Sequence, residues 1–349
     1  MQYSRFFIAL LILTATVFSA PVFYDALPWM EGSGFAESPA YGRLPRNMQE
    51  TVRPPVWRLS MNSAGLAAHF RSNSREIHVR WELLNDFHMV HMAGTGIRGV
   101  GLYVREGKEW HHLATGKPYQ KSNSTLLARN PGGEMREYML YCPLYDGLTE
   151  LALGLEKEAL ISPVPREKKP LVFYGTSITQ GGCVSRPGMA YPAIVGRSLD
   201  REAVNLGFSG NGRMDPEVMQ AIASVDAACY VIDCLPNMSL DMLRERGEKE
   251  IRRLLEGRRG VPVLLIPNFM PENYRYDAEK RREILAENAE LEAVYRRLNR
   301  EYHHLYYLPA KKLRHVADEG TVDGIHLTDL GQLRLAEVLA KKIGRLIGR

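Results

Sequence analysis

The sequence predicts an α/β protein in two parts: an N-terminal antiparallel β-sandwich, followed by a parallel sheet that helices cover on both faces. Two observations support this prediction. Between about residues 57 and 156, short stretches that alternate apolar with polar residues are separated by Gly, Asn and Ser, as in antiparallel sandwiches. After residue 170, apolar runs of strand length alternate with longer helical segments, which is typical of parallel sheets.

The composition is that of a folded globular protein. The chain has 349 residues, of which 45% are hydrophobic and 24% are charged. This length fits two domains better than one. The formal net charge is +5, but the basic residues are interspersed with acidic ones and do not gather with aromatic residues into a stripe. We therefore expect no nucleic-acid partner.

The first 20 residues have the pattern of a secretory signal peptide. Arg5 precedes the mostly apolar run at residues 6–18, and the small residues Ser19 and Ala20 follow it. The alternative is a membrane anchor, but this run is shorter than the roughly 20 residues that cross a bilayer. We expect cleavage of residues 1–20, export to the periplasm or the extracellular space, and no stable membrane span in the mature protein.

The predicted sandwich covers residues 21–165. A clear alternating stretch is GLYVR at residues 101–105. We expect residues 66–70 and 77–81 to form a hairpin, because the polar turn RSNS at residues 71–74 separates them. Apolar periodicity of helical length is absent from this half of the sequence.

A segment rich in proline and charge, ISPVPREKKP at residues 161–170, cannot continue a strand or a helix and marks the boundary before a second domain at residues 166–349. Predicted strands follow at residues 171–174, 203–208, 228–233, 263–267 and 304–308. Predicted helices lie at residues 216–224, 240–255, 278–302 and 328–347. In such sheets ligands bind beyond the carboxyl ends of the strands, so we expect the functional residues there.

Two loops carry a candidate nucleophile and a candidate base. The first strand runs into GTSITQGG at residues 175–182, a turn that would present Ser177 where a helix begins. Near the C-terminus, Asp323 stands three residues before His326, so its carboxylate can reach Nδ1 of the imidazole and leave Nε2 free. Alone, the first segment also fits a helix cap, and the second also fits surface polarity or metal ligation.

Two further loops carry candidate oxyanion donors. Gly210 in NLGFSGNG would offer a backbone N–H, and Asn237 in DCLPN would offer a neutral side-chain amide. Each segment taken alone also fits an ordinary turn between strand and helix. The segment around Ser177 lacks the second glycine of G-x-S-x-G, which argues against an α/β-hydrolase elbow, and it lacks the Gly-Lys-Ser/Thr of a P-loop.

In this order and after these strands, the four segments resemble the sequence blocks of the SGNH (GDSL-like) hydrolase superfamily. The resemblance covers roughly residues 171 to 349 and implies a flavodoxin-like three-layer α/β/α domain with a parallel five-stranded sheet. It also implies a catalytic triad and an oxyanion hole. Carried over residue by residue, the triad is Ser177, Asp323 and His326, and the oxyanion hole is formed by Ser177, Gly210 and Asn237.

The sequence departs from the family pattern at two positions. Thr176 stands where the family usually has the Asp of Gly-Asp-Ser, which leaves efficiency and substrate preference open. In the first half, GVGLY at residues 99–103 and LYCPLYDG at residues 140–147 resemble the β-sandwich domain of a bacterial SGNH subgroup, whose motif is Gly-x-Asp-Leu-Tyr. Gly101 replaces that Asp. Bacterial carbohydrate acetylesterases share this architecture, so the resemblance implies a glycan ester substrate.

The resulting hypothesis is a serine esterase that hydrolyses short-chain esters, in particular acetyl esters of carbohydrate or of small molecules, and needs no cofactor and no metal. His88, His91, His111 and His112 show no convincing set of ligand partners in the sequence. Two alternatives stay open: a lipase-like acylhydrolase, lysophospholipase or thioesterase, and an inactive carbohydrate-binding protein. The sequence indicates neither the acyl chain length nor the oligomeric state.

The four cysteines, Cys142, Cys183, Cys229 and Cys234, are too few for a disulfide scaffold. Cys229 and Cys234 lie an odd number of positions apart on one predicted strand, so they cannot bridge locally. Cys183 and Cys234 each follow a predicted strand beside the candidate site. They can form a disulfide there or remain small apolar side chains.

Overall fold

The computed structural model of the protein describes residues 20–165 and 167–348. The predicted signal peptide, residues 1–20, lies almost entirely outside the described residues. No helix within these two ranges combines the length and the apolar content that crossing a bilayer requires. The described chain forms an antiparallel β-sandwich and then a parallel sheet between helices, which confirms the predicted fold class.

The first half contains two antiparallel sheets. Its strands are β1 Val22–Asp25, β2 Met30–Glu31, β3 Ala67–Ser72, β4 Glu76–Leu83, β5 Val100–Glu106, β6 Glu109–Gly116, β7 Ser122–Arg129, β8 Arg136–Tyr141, β9 Leu148–Leu155 and β10 Ile161–Pro163. One sheet has the order β1-β9-β4-β7, and the other has the order β10-β3-β8-β5-β6, with β2 paired to β3. The short helices α1 Pro54–Ser60 and α2 Gly94–Ile97 also belong to this half.

Strand β4 shows why these residues form a sandwich. Ile77, Val79 and Trp81 on one side of the strand are fully buried, whereas Arg80 between them is exposed. The buried faces of the two sheets form one apolar core. The indole N–H of Trp81 donates a hydrogen bond to the Arg98 carbonyl at 3.1 Å, so its polar atom is satisfied inside that core.

The predicted hairpin between residues 66–70 and 77–81 is wrong. β3 pairs with β8 and β10 in one sheet, while β4 pairs with β7 and β9 in the other. The link between them crosses the sandwich, so that both strands turn apolar side chains into the common core. A hydrogen bond from the Glu156 N–H, just after β9, to Ser74 Oγ at 3.1 Å attaches this link to the sheet that contains β4.

A segment ahead of β3 packs against the second half of the chain. Leu44, Met48, Val52 and Val56 lie in the apolar core on one face of the parallel sheet. Helix α1 supplies the last of them, and Pro54 and Pro55 open that helix. The apolar pattern of the sequence did not reveal this packing.

Arg43 fixes the same segment to the parallel sheet. Its side chain is fully buried, and it donates hydrogen bonds only to backbone carbonyls among the described residues. Two carbonyls belong to the first half, and two belong to the strand Ala203–Gly207 of the parallel sheet. The four bonds go to Leu59 at 2.6 Å, Asn62 at 2.7 Å, Asn205 at 3.0 Å and Gly207 at 2.7 Å.

The second half is a three-layer α/β/α unit. Its strands are β11 Leu171–Gly175, β12 Ala203–Gly207, β13 Cys229–Asp233, β14 Val263–Leu265 and β15 Leu305–Tyr307, and they form a five-stranded parallel sheet in the order β12-β11-β13-β14-β15. Its helices are α3 Ser177–Gln180, α4 Tyr191–Leu199, α5 Pro216–Ser224, α6 Leu240–Met242, α7 Glu248–Gly257, α8 Ala278–Leu298 and α9 Asp329–Leu346.

The helices differ in detail from their predicted bounds. The predicted helix at residues 240–255 is divided, because a π-helical turn at Leu243–Gly247 joins α6 to α7. The predicted helix at residues 278–302 ends at Leu298. Helix α4 was missed, since its sequence YPAIVGRSL contains both Pro and Gly.

The register of the parallel sheet brings three of the four sequence blocks to one edge. Gly175 at the end of β11 lies opposite Gly207 of β12 and Asp233 of β13. The loops that continue from these three residues carry Ser177, Gly210 and Asn237, so they start side by side.

Candidate active site

Ser177 lies at the first position of α3, directly after β11. Thr176 caps this helix: its side-chain oxygen accepts a hydrogen bond from the Ile178 N–H at 3.3 Å. Thr176 thus caps the helix, as the Asp of the family pattern Gly-Asp-Ser could do at this position. Ser177 itself is only 6% exposed and is therefore a buried residue. Its backbone N–H belongs to the first helical turn, where amides have no partner within the helix.

His326 connects Ser177 to Asp323. The His326 Nε2 atom lies 2.9 Å from Ser177 Oγ, and its Nδ1 atom lies 2.7 Å from Asp323 Oδ2. Both distances are those of hydrogen bonds. The three side chains that the sequence singled out in two distant loops therefore form one hydrogen-bonded chain.

Asp323 is held in the charged form. Partial burial would raise the pKa of its carboxyl, but hydrogen bonds from the His326 imidazole and from the backbone N–H groups of His326 and Ile325 lower it to about 2. The two N–H groups donate to Oδ1 at 2.8 and 3.0 Å, which leaves Oδ2 for the imidazole. An ionised carboxylate at Nδ1 keeps the proton there, so Nε2 is the nitrogen with a free lone pair.

Hydrogen bonds from α9 and from the loop after α3 fix the position of this His-bearing loop. The Cys183 N–H donates to the Leu327 carbonyl at 2.7 Å. Gln332 of α9 is fully buried; its side chain donates to the Ile178 carbonyl at 2.9 Å and accepts from the Tyr191 N–H at 2.8 Å. The segments that carry His326 and Ser177 are therefore joined by hydrogen bonds to each other.

Gly210 and Asn237 lie in the two loops beside α3. Gly210 has φ +67°, and nothing lies within 4 Å of the place where a Cβ would be, so this residue opens onto free space. Asn237 Oδ1 accepts a hydrogen bond from the Gly212 N–H at 3.2 Å, which turns its side-chain NH₂ away from that loop. The Ser209 N–H also donates to Gln180 Oε1 at 3.0 Å and attaches the glycine loop to α3.

A buried polar cluster that sequence reasoning missed lies beneath α3. Asp233, the last residue of β13, accepts hydrogen bonds from Tyr191 Oη at 3.0 Å and from Thr179 Oγ1 at 3.1 Å. Complete burial raises the pKa of the Asp233 carboxyl to about 7, although these two hydroxyls act in the opposite direction. The cluster supports the nucleophile helix from below and does not touch Ser177 through any described hydrogen bond.

The sandwich also contributes to the site. Tyr145 Oη donates to the Ser177 carbonyl at 3.2 Å, and Gln180 Nε2 donates to the Leu144 carbonyl at 2.9 Å. The ring of His91, from the loop before α2, lies 5.6 Å from the His326 ring between centroids. No local pattern marked Tyr145 or His91 in the sequence, because only the packing of the two halves brings them here.

Cys183 stands next to the same two histidines. One ligand atom each from His91, Cys183 and His326 lies within 4.8 Å of the other two. His91 thus has neighbours that its sequence context did not reveal. The disulfide between Cys183 and Cys234 does not form, and all four cysteines are buried free thiols. The second of the two expectations for this pair, unbridged apolar side chains, is the one observed.

Both halves of the chain match known protein families. Residues 168–344 match the family model of the GDSL-like lipase/acylhydrolase family, and residues 22–161 match the model for the N-terminus of SGNH-hydrolase-type esterases. A GDSL-like lipase from Bacteroides ovatus ATCC 8483 is 31% identical, with a TM-score of 0.88 over 94% of this chain and 98% of that one. Among curated proteins, no relative matches.

More distant structures share the fold. A salicylyl-acyltransferase from a tetracycline biosynthetic pathway is 15% identical, with a TM-score of 0.77 over 93% of this chain and 97% of that one. A family two carbohydrate esterase from Clostridium thermocellum, in complex with cellohexaose, is 14% identical, with a TM-score of 0.56 over 82% of this chain and 93% of that one.

Proposed function

This chain belongs to the GDSL-like lipase/acylhydrolase family and is a carboxylic ester hydrolase, and we propose that it is an exported serine esterase that removes short acyl groups, acetyl in particular, from carbohydrate. The observation that carries the proposal is the hydrogen-bonded chain from Asp323 through His326 to Ser177. A hydroxyl, a base and an orienting carboxylate in this order are what acyl transfer requires.

In the first step, His326 Nε2 removes the Ser177 proton as Oγ attacks the ester carbonyl. The negative charge on the carbonyl oxygen is met by the backbone N–H groups of Ser177 and Gly210 and by the side-chain amide of Asn237. The protonated imidazole is stabilised by the Asp323 carboxylate and gives its proton to the leaving alcohol. An acyl group is then bound to Ser177 Oγ.

In the second step, water attacks this acyl-enzyme. His326 removes a proton from the water, and the same three donors stabilise the second oxyanion. Collapse of the intermediate releases the carboxylic acid and returns the proton to Ser177 Oγ. The protein enters the next cycle unchanged.

The openness of the site supports a polar alcohol portion. The side chains of His326 and Asp323 are 25% and 39% exposed, so a polar alcohol portion bound beside them can stay in contact with water. The carbohydrate esterase neighbour with bound cellohexaose has the same fold. Similarity at 14% identity shows a common fold only, so the carbohydrate substrate is part of the proposal.

Hydrolysis of p-nitrophenyl acetate, butyrate and octanoate by the protein without residues 1–20 tests the proposal. We expect the highest kcat/KM for acetate and a loss of at least about 10⁴-fold in Ser177→Ala, because that variant lacks the nucleophile. Ser224→Ala, which removes an exposed hydroxyl at the end of α5, is the matched control and should keep full activity.

Release of acetate from acetylated xylan or acetylated cello-oligosaccharides then tests the carbohydrate. A preference for octanoate would point instead to a lipase-like acylhydrolase. If no ester is hydrolysed and Ser177 does not react with an organophosphonate, the esterase proposal fails and a carbohydrate-binding protein becomes the better account.

A further inference from the structure

We propose that His91, Cys183 and His326 form a binding site for a thiophilic divalent cation such as Zn²⁺, and that the bound cation switches the esterase off. The inhibitory part of this inference rests on the proposed function of His326. The cation site itself rests on geometry: one ligand atom from each residue lies within 4.8 Å of the other two.

The donor types fit such a cation. Imidazole nitrogen and cysteine sulfur are the usual protein ligands of Zn²⁺, with bonds of about 2.0 to 2.3 Å and tetrahedral geometry. In a tetrahedral site, neighbouring ligand atoms are therefore about 3.3 to 3.6 Å apart. From 4.8 Å the atoms need to approach by about 1.2 to 1.5 Å, and His91 can supply most of this movement because it is exposed and lies in an irregular loop.

Asp323 prepares His326 for this role. Its carboxylate binds Nδ1 at 2.7 Å, so Nε2, which lies 2.9 Å from Ser177 Oγ, is the nitrogen whose lone pair can bind a cation. A carboxylate behind a histidine orients the ring and raises its strength as a metal ligand. The arrangement that favours proton transfer therefore also favours metal binding.

Cation binding and catalysis exclude each other. A metal–nitrogen bond to Nε2 occupies the lone pair that would take the Ser177 proton, and it replaces the hydrogen bond to Oγ. At Cys183 the S–H bond breaks as the metal–sulfur bond forms, and the proton passes to the buffer. A water molecule completes four-coordination.

A neighbouring histidine provides the matched control. His88 lies in the same loop as His91, but its Nε2 atom is 3.7 Å from Asp86, and its side chain is 67% exposed. It is not among the three residues whose ligand atoms converge. Removing His88 takes one imidazole from the loop, as removing His91 does, without removing a proposed ligand.

Cobalt(II) spectroscopy on Ser177→Ala protein tests the site independently of activity. We expect one Co²⁺ to bind per chain, with a thiolate-to-metal band in the near ultraviolet that disappears in Cys183→Ala. Affinity should fall at least about tenfold in His91→Ala and stay unchanged in His88→Ala. Absence of the band in correctly folded Ser177→Ala protein, or equal affinity in His91→Ala, would overturn the site.

Zn²⁺ titration of ester hydrolysis tests the switch, with each variant compared with its own metal-free rate. We expect inhibition that EDTA reverses, and a Zn²⁺ concentration for half inhibition that is at least about tenfold higher in His91→Ala than in His88→Ala. Equal sensitivity of the two variants contradicts the proposal. If the protein hydrolyses no ester, the esterase proposal fails, but the cobalt spectrum still tests the cation site. If the protein hydrolyses esters and the cobalt band is missing, the cation-site proposal fails and the esterase proposal is unaffected.

Discussion

Carboxylates hold two histidines of this chain, with opposite results. His326 has one carboxylate, Asp323, at Nδ1, and its Nε2 atom faces the Ser177 hydroxyl at 2.9 Å. His69 on β3 has a carboxylate at each nitrogen, Glu31 at 3.0 Å and Glu137 at 3.1 Å. One imidazole keeps a nitrogen for a reacting group, whereas the other has both nitrogens occupied.

The second arrangement makes His69 a structural cation. Burial would lower the pKa of His69, but hydrogen bonds and attraction from Glu137 and Glu31 raise it to about 9. Burial likewise opposes ionisation of Glu137, whose pKa nevertheless falls to about 2 through hydrogen bonds from His69, Arg71 and Arg105. At neutral pH both nitrogens of His69 therefore carry protons, so this residue has no lone pair with which to act as a base.

The largest effect on kcat should come from replacing Asp323, the single carboxylate beside His326. In Asp323→Asn, the amide oxygen can still accept the two backbone N–H groups, so the NH₂ group turns toward His326 Nδ1. That donor favours the wrong tautomer, with the proton on Nε2, and we expect kcat to fall by about 10² to 10⁴.

The control for this variant is Asp318→Asn. Asp318 Oδ2 lies 2.7 Å from Nδ1 of the exposed His315. This pair has the same two residue types as Asp323 and His326 and the same separation of three positions, in the reverse order. Steady-state kinetics with p-nitrophenyl acetate should show an unchanged kcat. An Asp323→Asn protein with the activity of this control would remove Asp323 from the mechanism.

A smaller effect should follow from removing one hydrogen-bond donor to the oxyanion while the histidine stays intact. Asn237→Ala removes one oxyanion donor, and loss of such a donor costs about 3 kcal/mol, or roughly a hundredfold in kcat. We expect kcat and kcat/KM to fall together, since the bond forms only as charge develops. A rise in KM alone would show that Asn237 binds substrate instead.

The smallest effect on activity, and the clearest on stability, should come from His69→Gln. A folded-state pKa raised from 6.5 to about 9 stabilises the protein fully below about pH 6.5, and this contribution is lost as the pH rises through about 9. We expect the variant to unfold more easily at pH 6 by about 2 kcal/mol, after allowance for solvent screening, and to match the parent more closely above about pH 9.

Urea denaturation at the two pH values measures this difference, with His111→Gln as an exposed control. Ester hydrolysis at pH 7 should be unchanged in both variants. A stability difference that does not depend on pH would mean that His69 acts through packing, for example against the Trp110 ring, whose centroid is 5.6 Å away.

The sequence predicted the parallel sheet and the residues at its edge for one physical reason. Strand-length apolar runs fix the sheet, and the carboxyl ends of parallel strands share an edge, so polar residues directly after them must converge. Asp323 and His326 could be paired because only two residues separate them. Each local pattern alone also fitted an ordinary turn, and the resemblance of the ordered set to the SGNH hydrolase blocks joined them into one candidate site.

Features that depend on contacts between distant segments could not be predicted. Periodicity showed that β3 and β4 are strands but not that they belong to different sheets, because both patterns suit either pairing. His91 and Tyr145 reach the site only through the packing of the sandwich on the second half. Their own neighbours in sequence carry no sign of it.

Arg43 makes the two halves of the chain depend on each other. Its four hydrogen bonds join two carbonyls of the first half to two carbonyls of β12, and the apolar residues that follow it cover one face of the parallel sheet. A gene fusion that exchanged the sandwich for another module at the proline-rich linker would therefore remove part of the enzyme's own core. The second half on its own would lack that part of its apolar core.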